Sequence, residues 1–260
     1  MKTIDLDSWE SFEKTVSSFL ADWKLKKEKS STYVSTPIFR GHAKASWKLQ
    51  TTLERFSDRT FNSTDYHRRV QSIRPAVVSL TGENWDVPDA LTARQLPPAG
   101  YAFMVYLRHH GFPSPLLDWT RSPFVAGYFA FRSREGQKDG RVAIYSYVEY
   151  TGNGRSFAST TVHGLGPNVE SHRRHDAQHC EYTICWKHVG DTFEYSSHEA
   201  AFLDNTSDQG ELRKYTLPAS ERGAVLRKLE LMNVTAFSLF GSEESLMETL
   251  AYQEIEKGIE

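Results

Sequence analysis

The chain has 260 residues, of which 39% are hydrophobic and 25% are charged, and its formal net charge is −2. This composition is typical of a folded globular protein, and it excludes both an intrinsically disordered chain and a surface that is basic throughout. A local basic groove stays compatible with it.

No apolar run reaches the roughly 20 residues that a membrane helix needs, and no signal-peptide core follows Met1. The two cysteines, Cys180 and Cys185, are too few for a disulfide framework. We therefore expect a cytoplasmic protein in a reducing compartment, without membrane association.

The first predicted element is an amphipathic helix over residues 7–23. Asp7 and Glu10 have the spacing of a capping box. One helical face carries the apolar side chains, which are Trp9, Phe12, Val16, Phe19, Leu20 and Trp23.

The charged stretch 24–31, KLKKEKSS, predicts an exposed connection after this helix. We expect residues 1–30 to form an N-terminal helix that packs on a main domain of residues 31–260.

The middle of the chain alternates between helix and loop patterns. Residues 33–39 predict a strand, because they are rich in β-branched and aromatic side chains. Residues 81–100 contain three prolines and predict a loop. Helices are predicted over 47–56, 65–80 and 99–111, the last ended by Gly111.

The second half predicts three strands, a loop and two helices. The strands lie at 141–148, 180–186 and 211–217, the loop at 152–166, and the helices begin near Ser220 and Ser242. Strands and helices are interspersed without regular βαβ spacing. This order predicts an α+β fold with mixed or antiparallel sheets and flanking helices.

Residues 107–131, LRHHGFPSPLLDWTRSPFVAGYFAF, place polar side chains against an apolar helix. Ser122 and Pro123 are typical of a helix start, and the segment that follows them is apolar nearly all round, which predicts a buried helix. Such an N-terminus can hold an anion. The preceding polar residues either bond locally or line a site; they are His109, His110, Asp118, Trp119 and Thr120.

Two stretches of the chain resemble the FRG-domain family. They are FRG at 39–41 and HHGFPSPLLDWTRSPFVAGYFAF at 109–131, and the segments 173–183, 212–218 and 237–250 extend the likeness over most of 35–250. The chain departs from the family pattern where Arg108 replaces glutamine and Ser114–Pro115 replace Thr-Arg. If that arginine binds ligand in the family, the anchoring of the ligand differs here.

The order of the motifs is also similar, more distantly, to the ADP-ribosyltransferase fold. Arg40, the Thr120–Ser122 turn and Gln178 or Glu181 stand where that fold has its key positions. The resemblance implies NAD as co-substrate, no metal, and catalysis by Glu181 or Gln178. The cofactor-binding residues it implies are Arg40, Gly41, His109, His110, Asp118, Trp119, Thr120 and Ser122.

An ADP-ribosyltransferase breaks the bond between nicotinamide and ribose while positive charge develops on the ribose ring. Arg40 suits the pyrophosphate or the nicotinamide ribose, Trp119 or Tyr128 suits the nicotinamide ring, and a carboxylate suits the ribose hydroxyl and the developing cation. Strand alternation puts Glu181 on the face with His179 and Thr183, away from the expected core and toward solvent or a cleft. Two structural alternatives remain: an ion pair of Arg40, perhaps with Asp118, and a solvated Glu181.

The resemblance further implies a toxin of bacterial antiphage defence that modifies a macromolecule, RNA ahead of protein, and is neutralised by an antitoxin or chaperone. The alternative is a non-catalytic module that binds a nucleotide or nucleic acid. A nuclease that uses His109 or His110 is weaker, because no nucleophile or metal set accompanies them. A zinc site is also disfavoured, because the sequence lacks the paired Cys-x-x-Cys spacing typical of one. The candidate ligands considered are His172, His175, His179, Cys180, Cys185 and His188.

Overall fold

A computed structural model describes residues 1–89, 95–134, 140–153, 160–167, 169, 174–190, 192–203 and 210–256. This part of the chain contains eight strands and ten α-helices. The strands are β1 Lys2–Asp5, β2 Ile38–His42, β3 Leu116–Thr120, β4 Arg141–Val148, β5 Thr160–Gly164, β6 Cys180–Val189, β7 Thr192–Tyr195 and β8 Glu211–Pro218.

The helices lie between and after these strands. They are α1 Trp9–Lys29, α2 Thr52–Phe56, α3 Ser63–Thr81, α4 Tyr101–His109, α5 Pro123–Phe131, α6 Arg174–Ala177, α7 Ala200–Leu203, α8 Arg222–Leu231, α9 Ala236–Phe240 and α10 Glu243–Ala251. None of the helices in the described ranges is long and apolar enough to cross a membrane.

The strands form one mixed sheet in the order β1-β8-β4-β2-β3-β6-β5, with β7 paired to β6. β1 and β8 run parallel and the other neighbours run antiparallel. The α+β prediction with a mixed sheet is therefore confirmed. Only one residue pair, Phe39–Thr120, joins β2 to β3, whereas five pairs join β2 to β4. The sheet thus consists of two halves that separate between β2 and β3.

Three apolar clusters cover the two halves of the sheet. The first packs α1, α5 and α8 against β4 and β8, and the second packs α3 and α4 against β3 and β6. The third lies on the opposite face and includes Leu117, Trp119, Tyr145 and Cys185. Because both faces are covered, residues on either face of a central strand can be buried.

Helix α1 differs from its prediction at both ends. Its N-cap is Ser8, whose side chain accepts the Ser11 N–H, so the predicted cap by Asp7 and Glu10 is wrong. The helix continues to Lys29 through the stretch expected as a connection, because Lys, Leu and Glu favour helix and the basic side chains suit its C-terminus. The domain division at residue 30 stays a prediction.

Several other boundaries needed correction. The predicted strand 33–39 begins only at Ile38, and the predicted helix 47–56 begins only at Thr52, after a capping box formed by Thr51 and Glu54. Part of the predicted loop 152–166 is strand β5, while residues 154–159 and His172 lie outside the described residues. Of the predicted Thr120–Ser122 turn, Thr120 is the last residue of strand β3, a strand that the sequence did not predict.

Helix α5 has the predicted cap and burial. The Ser122 side chain accepts the Val125 N–H, Pro123 occupies the first turn, and the helix is buried in the first cluster. Gly127 allows Trp9 of α1 to pack closely, because a Cβ on Gly127 would overlap the Trp9 ring. This contact therefore packs α1 directly against α5.

We predict that Gly127→Ala destabilises the fold by about 2 kcal/mol through overpacking against Trp9. Trp9→Phe removes the overlapping ring atoms, so the double variant should be more stable than the sum of the single effects by at least about 1 kcal/mol. Urea denaturation of the four proteins measures this coupling. Additive effects, within about 0.5 kcal/mol, would contradict the packing described for α1.

Candidate functional site

A cleft of about 790 Å³ opens where β2 and β3 separate. Residues 39–42 of β2 and the following Ala43 line one side, and Asp118, Trp119 and Thr120 of β3 line the other. The ends of α4, α5 and α9 complete the walls. A cleft of this size is typical of sites for nucleotide-sized ligands.

Arg40 crosses the gap between the two strands. Its Nη1 donates to the Asp118 carbonyl oxygen at 2.6 Å, and its Nε donates to His42 Nε2 at 3.0 Å. Burial lowers the pKa of Arg40 to about 10, and the nearby Asp118 acts in the opposite direction. The guanidinium is therefore still a cation at neutral pH, and it replaces the strand-to-strand hydrogen bonds that are missing beyond Phe39.

His42 is neutral in this arrangement. Burial, and next the positive charge of Arg40, hold the pKa of His42 well below its usual value. Its Nε2 can accept the Arg40 N–H only when that nitrogen carries no proton. The pair therefore contributes one positive charge to the cleft rather than two.

The Asp118 carboxylate pairs with a different arginine. Arg108 Nη2 lies 2.7 Å from Asp118 Oδ2, and the two side chains are 15% and 28% exposed. The structural alternative of an Arg40–Asp118 ion pair is therefore wrong in detail, since Arg40 binds only the backbone of Asp118. In the described ranges, no carboxylate forms an ion pair with Arg40.

Positive charge exceeds negative charge around the cleft. Among the described residues that line it, Asp118 is the single acidic side chain. Six side chains carry positive charge; they are Arg40, Lys48, Arg55, Arg108, Arg132 and Arg174. Even after the Arg108–Asp118 pair, and with Arg132 held by Glu248 at 2.6 Å, the lining favours an anion.

Aromatic rings accompany these cations at two places. Trp47 is 44% exposed, with Lys44 Nζ 5.8 Å from its ring centre. Phe240 lies beside Phe129, and the guanidinium carbons of Arg132 and Arg174 are 4.5 and 5.5 Å from its ring centre. Trp47 and Phe240 both line the cleft and offer flat apolar surface next to positive charge.

Seven of the ten predicted site residues line the cleft. They are Arg40, Gly41, His109, Asp118, Trp119, Thr120 and Gln178. His110, Ser122 and Glu181 are absent from the described lining. The aromatic alternative Tyr128 lines a separate pocket, where its hydroxyl donates to Glu248.

Gly41 has a packing role in the structure. A Cβ at this position would overlap the Ala126 carbonyl oxygen and lie 2.6 Å from the Ala130 nitrogen. Both atoms belong to the backbone of α5, which cannot move aside cheaply. Glycine therefore allows β2 to lie directly on α5 and fixes the position of Arg40, its neighbour.

Side-chain hydrogen bonds hold two of the lining residues in place. His109 Nε2 lies 2.7 Å from the Tyr182 hydroxyl, which also contacts His175 Nδ1 at 3.2 Å. The Trp119 indole donates to Thr183 Oγ1 at 2.8 Å, and Trp119 is buried in the third cluster. Both contacts fix the orientation of their rings.

The two candidates for the catalytic polar group differ in their surroundings. Gln178 is buried at the cleft, where its Nε2 donates to the Leu239 carbonyl at 3.0 Å. Glu181 lies opposite Trp119 on β6, is 14% exposed, and has Arg121 Nε at 3.7 Å. The face of β6 that carries Glu181 was expected to point to solvent or a cleft. It is only partly accessible, because Thr183 on the same face is fully buried.

Several residues that line the cleft were not among the predicted site residues. Trp47, Lys48 and Arg55 belong to the segment 47–56, for which the sequence predicts only a helix, and Arg174 lies in the segment 173–183, which carries part of the family resemblance. Arg132 directly follows the buried helix α5. The signal in the sequence that could have identified these residues is the presence of cationic side chains next to elements predicted to be buried. Among the described residues, no cluster of three His, Cys, Asp or Glu side chains could hold a metal ion.

Residues 35–139 match the family model of the FRG domain. The match supports a relationship between this part of the chain and the FRG-domain family. No curated protein and no solved structure matches the chain. The FRG segment contributes Arg40, Arg55, Arg108 and Asp118 to the cleft, whereas Arg174 and Phe240 come from the chain that follows it.

We predict that the stability of the protein depends on the ionisation of Glu181. Burial raises the pKa of Glu181 above 4.5, with Arg121 acting in the opposite direction. A carboxyl group with a raised pKa supports folding below its unfolded pKa, and this support is lost as the pH rises through the folded pKa. Glu181→Gln resembles the protonated form and should gain stability relative to wild type as the pH rises.

Urea denaturation between about pH 4.5 and pH 8 measures the difference in the free energy of unfolding between Glu181→Gln and wild type. This difference should be larger when both proteins also carry Arg121→Ala, because the positive charge of Arg121 that favours ionised Glu181 is then absent. A difference that narrows with rising pH would mean that Glu181 is stabilised as an anion.

Proposed function

We propose that the cleft binds NAD and that the protein transfers ADP-ribose from NAD to a macromolecule. The supporting observation is the excess of cations around Arg40, in a cleft that has an aromatic ring in each of two places. NAD carries two phosphates between two ring systems. A volume of about 790 Å³ lies in the range of sites that bury such a ligand.

The arginines of the cleft suit the pyrophosphate of NAD. Guanidinium groups bind phosphate oxygens through two parallel hydrogen bonds, and they do so best when partly desolvated. Arg40 is partly buried, and burial is the main cause that lowers its pKa. The positive charges of Arg108 and Arg55 lower that pKa further, which puts Arg55 near Arg40. Trp47 and Phe240 offer stacking surface for the ring systems at either side.

The order of the elements that carry these residues is the order expected for the ADP-ribosyltransferase fold. Arg40 lies on an early strand, a buried helix follows a strand that ends at Thr120, and the Gln178–Glu181 segment begins a later strand next to it. The likeness is one of order and residue type. It supports the proposed chemistry less strongly than the charge of the cleft does.

We favour RNA over protein as the acceptor. Trp47 is exposed at the cleft, and Lys44 and Lys48 lie beside it in the chain. Exposed aromatic rings next to cations are typical of surfaces that bind single-stranded nucleic acid. A role as a toxin of antiphage defence, restrained by an antitoxin or chaperone, follows from the family resemblance and belongs to the same proposal.

The second candidate is a module that binds a nucleotide or nucleic acid without catalysis. The position of Glu181 favours it, because this carboxylate lies outside the described lining of the cleft and pairs with Arg121. Both candidates require an anionic ligand at Arg40. They differ in whether nicotinamide is released.

We predict that the protein releases nicotinamide when it is incubated with NAD and total bacterial RNA. Arg55→Ala should lower kcat/KM about 10- to 100-fold, because it removes a charged hydrogen bond to phosphate worth about 1.5–3 kcal/mol. The matched control is Arg68→Ala on α3, whose side chain is 74% exposed and outside the cleft. Chromatography of released nicotinamide measures both.

The outcomes separate the two candidates. Binding of NAD or ADP-ribose without nicotinamide release, with RNA or protein as acceptor, would favour the binding module. Absence of binding at millimolar NAD would contradict both. Growth arrest on expression that is relieved by Arg55→Ala, but not by Arg68→Ala, supports the toxin role.

A further inference from the structure

The cleft contains one carboxylate among its described lining residues, and that carboxylate is Asp118. ADP-ribose transfer develops positive charge on the ribose, and a fixed negative group nearby lowers the barrier. Asp118 is therefore an alternative to Glu181, which the resemblance to the ADP-ribosyltransferase fold implies as the catalytic carboxylate.

The sheet order places Asp118 closer to Arg40 than Glu181 is. β3 borders the cleft and lies between β2 and β6. Arg40 contacts the Asp118 backbone directly, whereas Glu181 stands one strand further away, opposite the buried Trp119. Neighbouring strands are about 4.8 Å apart, so a ligand held by Arg40 reaches β3 before it reaches β6.

The Asp118 carboxylate is also held in place. Arg108 binds its Oδ2 at 2.7 Å, and Arg40 binds its backbone carbonyl, so both the side chain and the backbone of Asp118 are held by an arginine. Its side chain is 28% exposed, which leaves it accessible from the cleft. The other oxygen, Oδ1, is buried and has no hydrogen-bond partner, an arrangement that stable folds rarely keep without a functional reason.

We propose that Asp118, rather than Glu181, is the catalytic carboxylate of the cleft. The inference rests on the proposed function. In the step, the bond between ribose C1′ and the nicotinamide nitrogen breaks, and its electron pair leaves with neutral nicotinamide. The acceptor hydroxyl forms the new bond to C1′ and releases its proton to solvent, while Asp118 stabilises the positive charge on the ribose.

The surrounding arginines are compatible with this role. Arg108 keeps the carboxylate oriented through a direct ion pair, and Arg40 and Arg55 are the groups placed to bind the phosphates. An anionic ligand adds negative charge beside these three arginines, and the Asp118 carboxylate then faces the ribose. Arg108 acts as a positioning residue, because it reaches the ribose only through Asp118.

Nicotinamide release at saturating NAD tests the proposal. Asp118→Asn should lower kcat about 100-fold or more, as removal of a transition-state charge contact does, and should change KM for NAD less than about threefold. Glu181→Gln should lose less than about tenfold in kcat. The matched surface control is Asp65→Asn on α3, which should match wild type.

Two further variants separate catalysis from folding. Asp118→Glu keeps the charge and can still pair with Arg108, so it should retain more kcat than Asp118→Asn. Arg108→Gln removes the ion pair but keeps the carboxylate, so its kcat should fall less than that of Asp118→Asn. Binding of ADP-ribose by each variant, measured by calorimetry, shows that the cleft is intact.

Each result has one meaning. If Glu181→Gln loses activity while Asp118→Asn keeps it, Glu181 is the catalytic group and the Asp118 proposal is overturned alone. Equal kcat losses in Asp118→Asn, Asp118→Glu and Arg108→Gln would show that Asp118 is structural. Absence of nicotinamide release by the wild type would overturn the proposed function, and this inference with it.

Discussion

The separation of β2 from β3, and the arginine that spans it, determine the rest of the site. Only one residue pair joins the two strands, and beyond it Arg40 makes the connection through the Asp118 carbonyl. Removing a guanidinium even partly from water is costly unless its hydrogen bonds are satisfied, and Arg40 uses a carbonyl and a neutral histidine for this purpose. Neither partner cancels its charge.

The charge balance of the cleft follows from that choice of partners. The nearest carboxylate, Asp118, is already paired with Arg108, so Arg40 retains its positive charge in a partly desolvated place. Close packing keeps this geometry, because Gly41 lets β2 lie on α5 and Gly127 lets α1 lie on the other side of that helix. The core thus supports the site by fixing the strand that carries Arg40.

The sequence predicted the long, strongly patterned elements and missed what depends on tertiary contacts. Helix α5 followed from Ser122, Pro123 and a continuous apolar run, all of which act locally. Strand β3 was missed, because its alternation is hidden by burial on both faces, and α1 extended past its expected end. In the site, the motifs point to Arg40 and Asp118, which line the cleft, and to Glu181 and Ser122, which lie outside its described lining. Period-two alternation gives the face of a residue but not its distance from another strand, which sheet order alone determines.

A crystal structure of the protein with ADP-ribose tests the central claim most directly, since it locates the ligand without depending on catalysis. The claim predicts that the pyrophosphate binds between Arg40 and Arg55, with the ribose near the Asp118 carboxylate and a ring system against Trp47 or Phe240. A ligand bound elsewhere on the protein, with the cleft between β2 and β3 occupied by water alone, would contradict it.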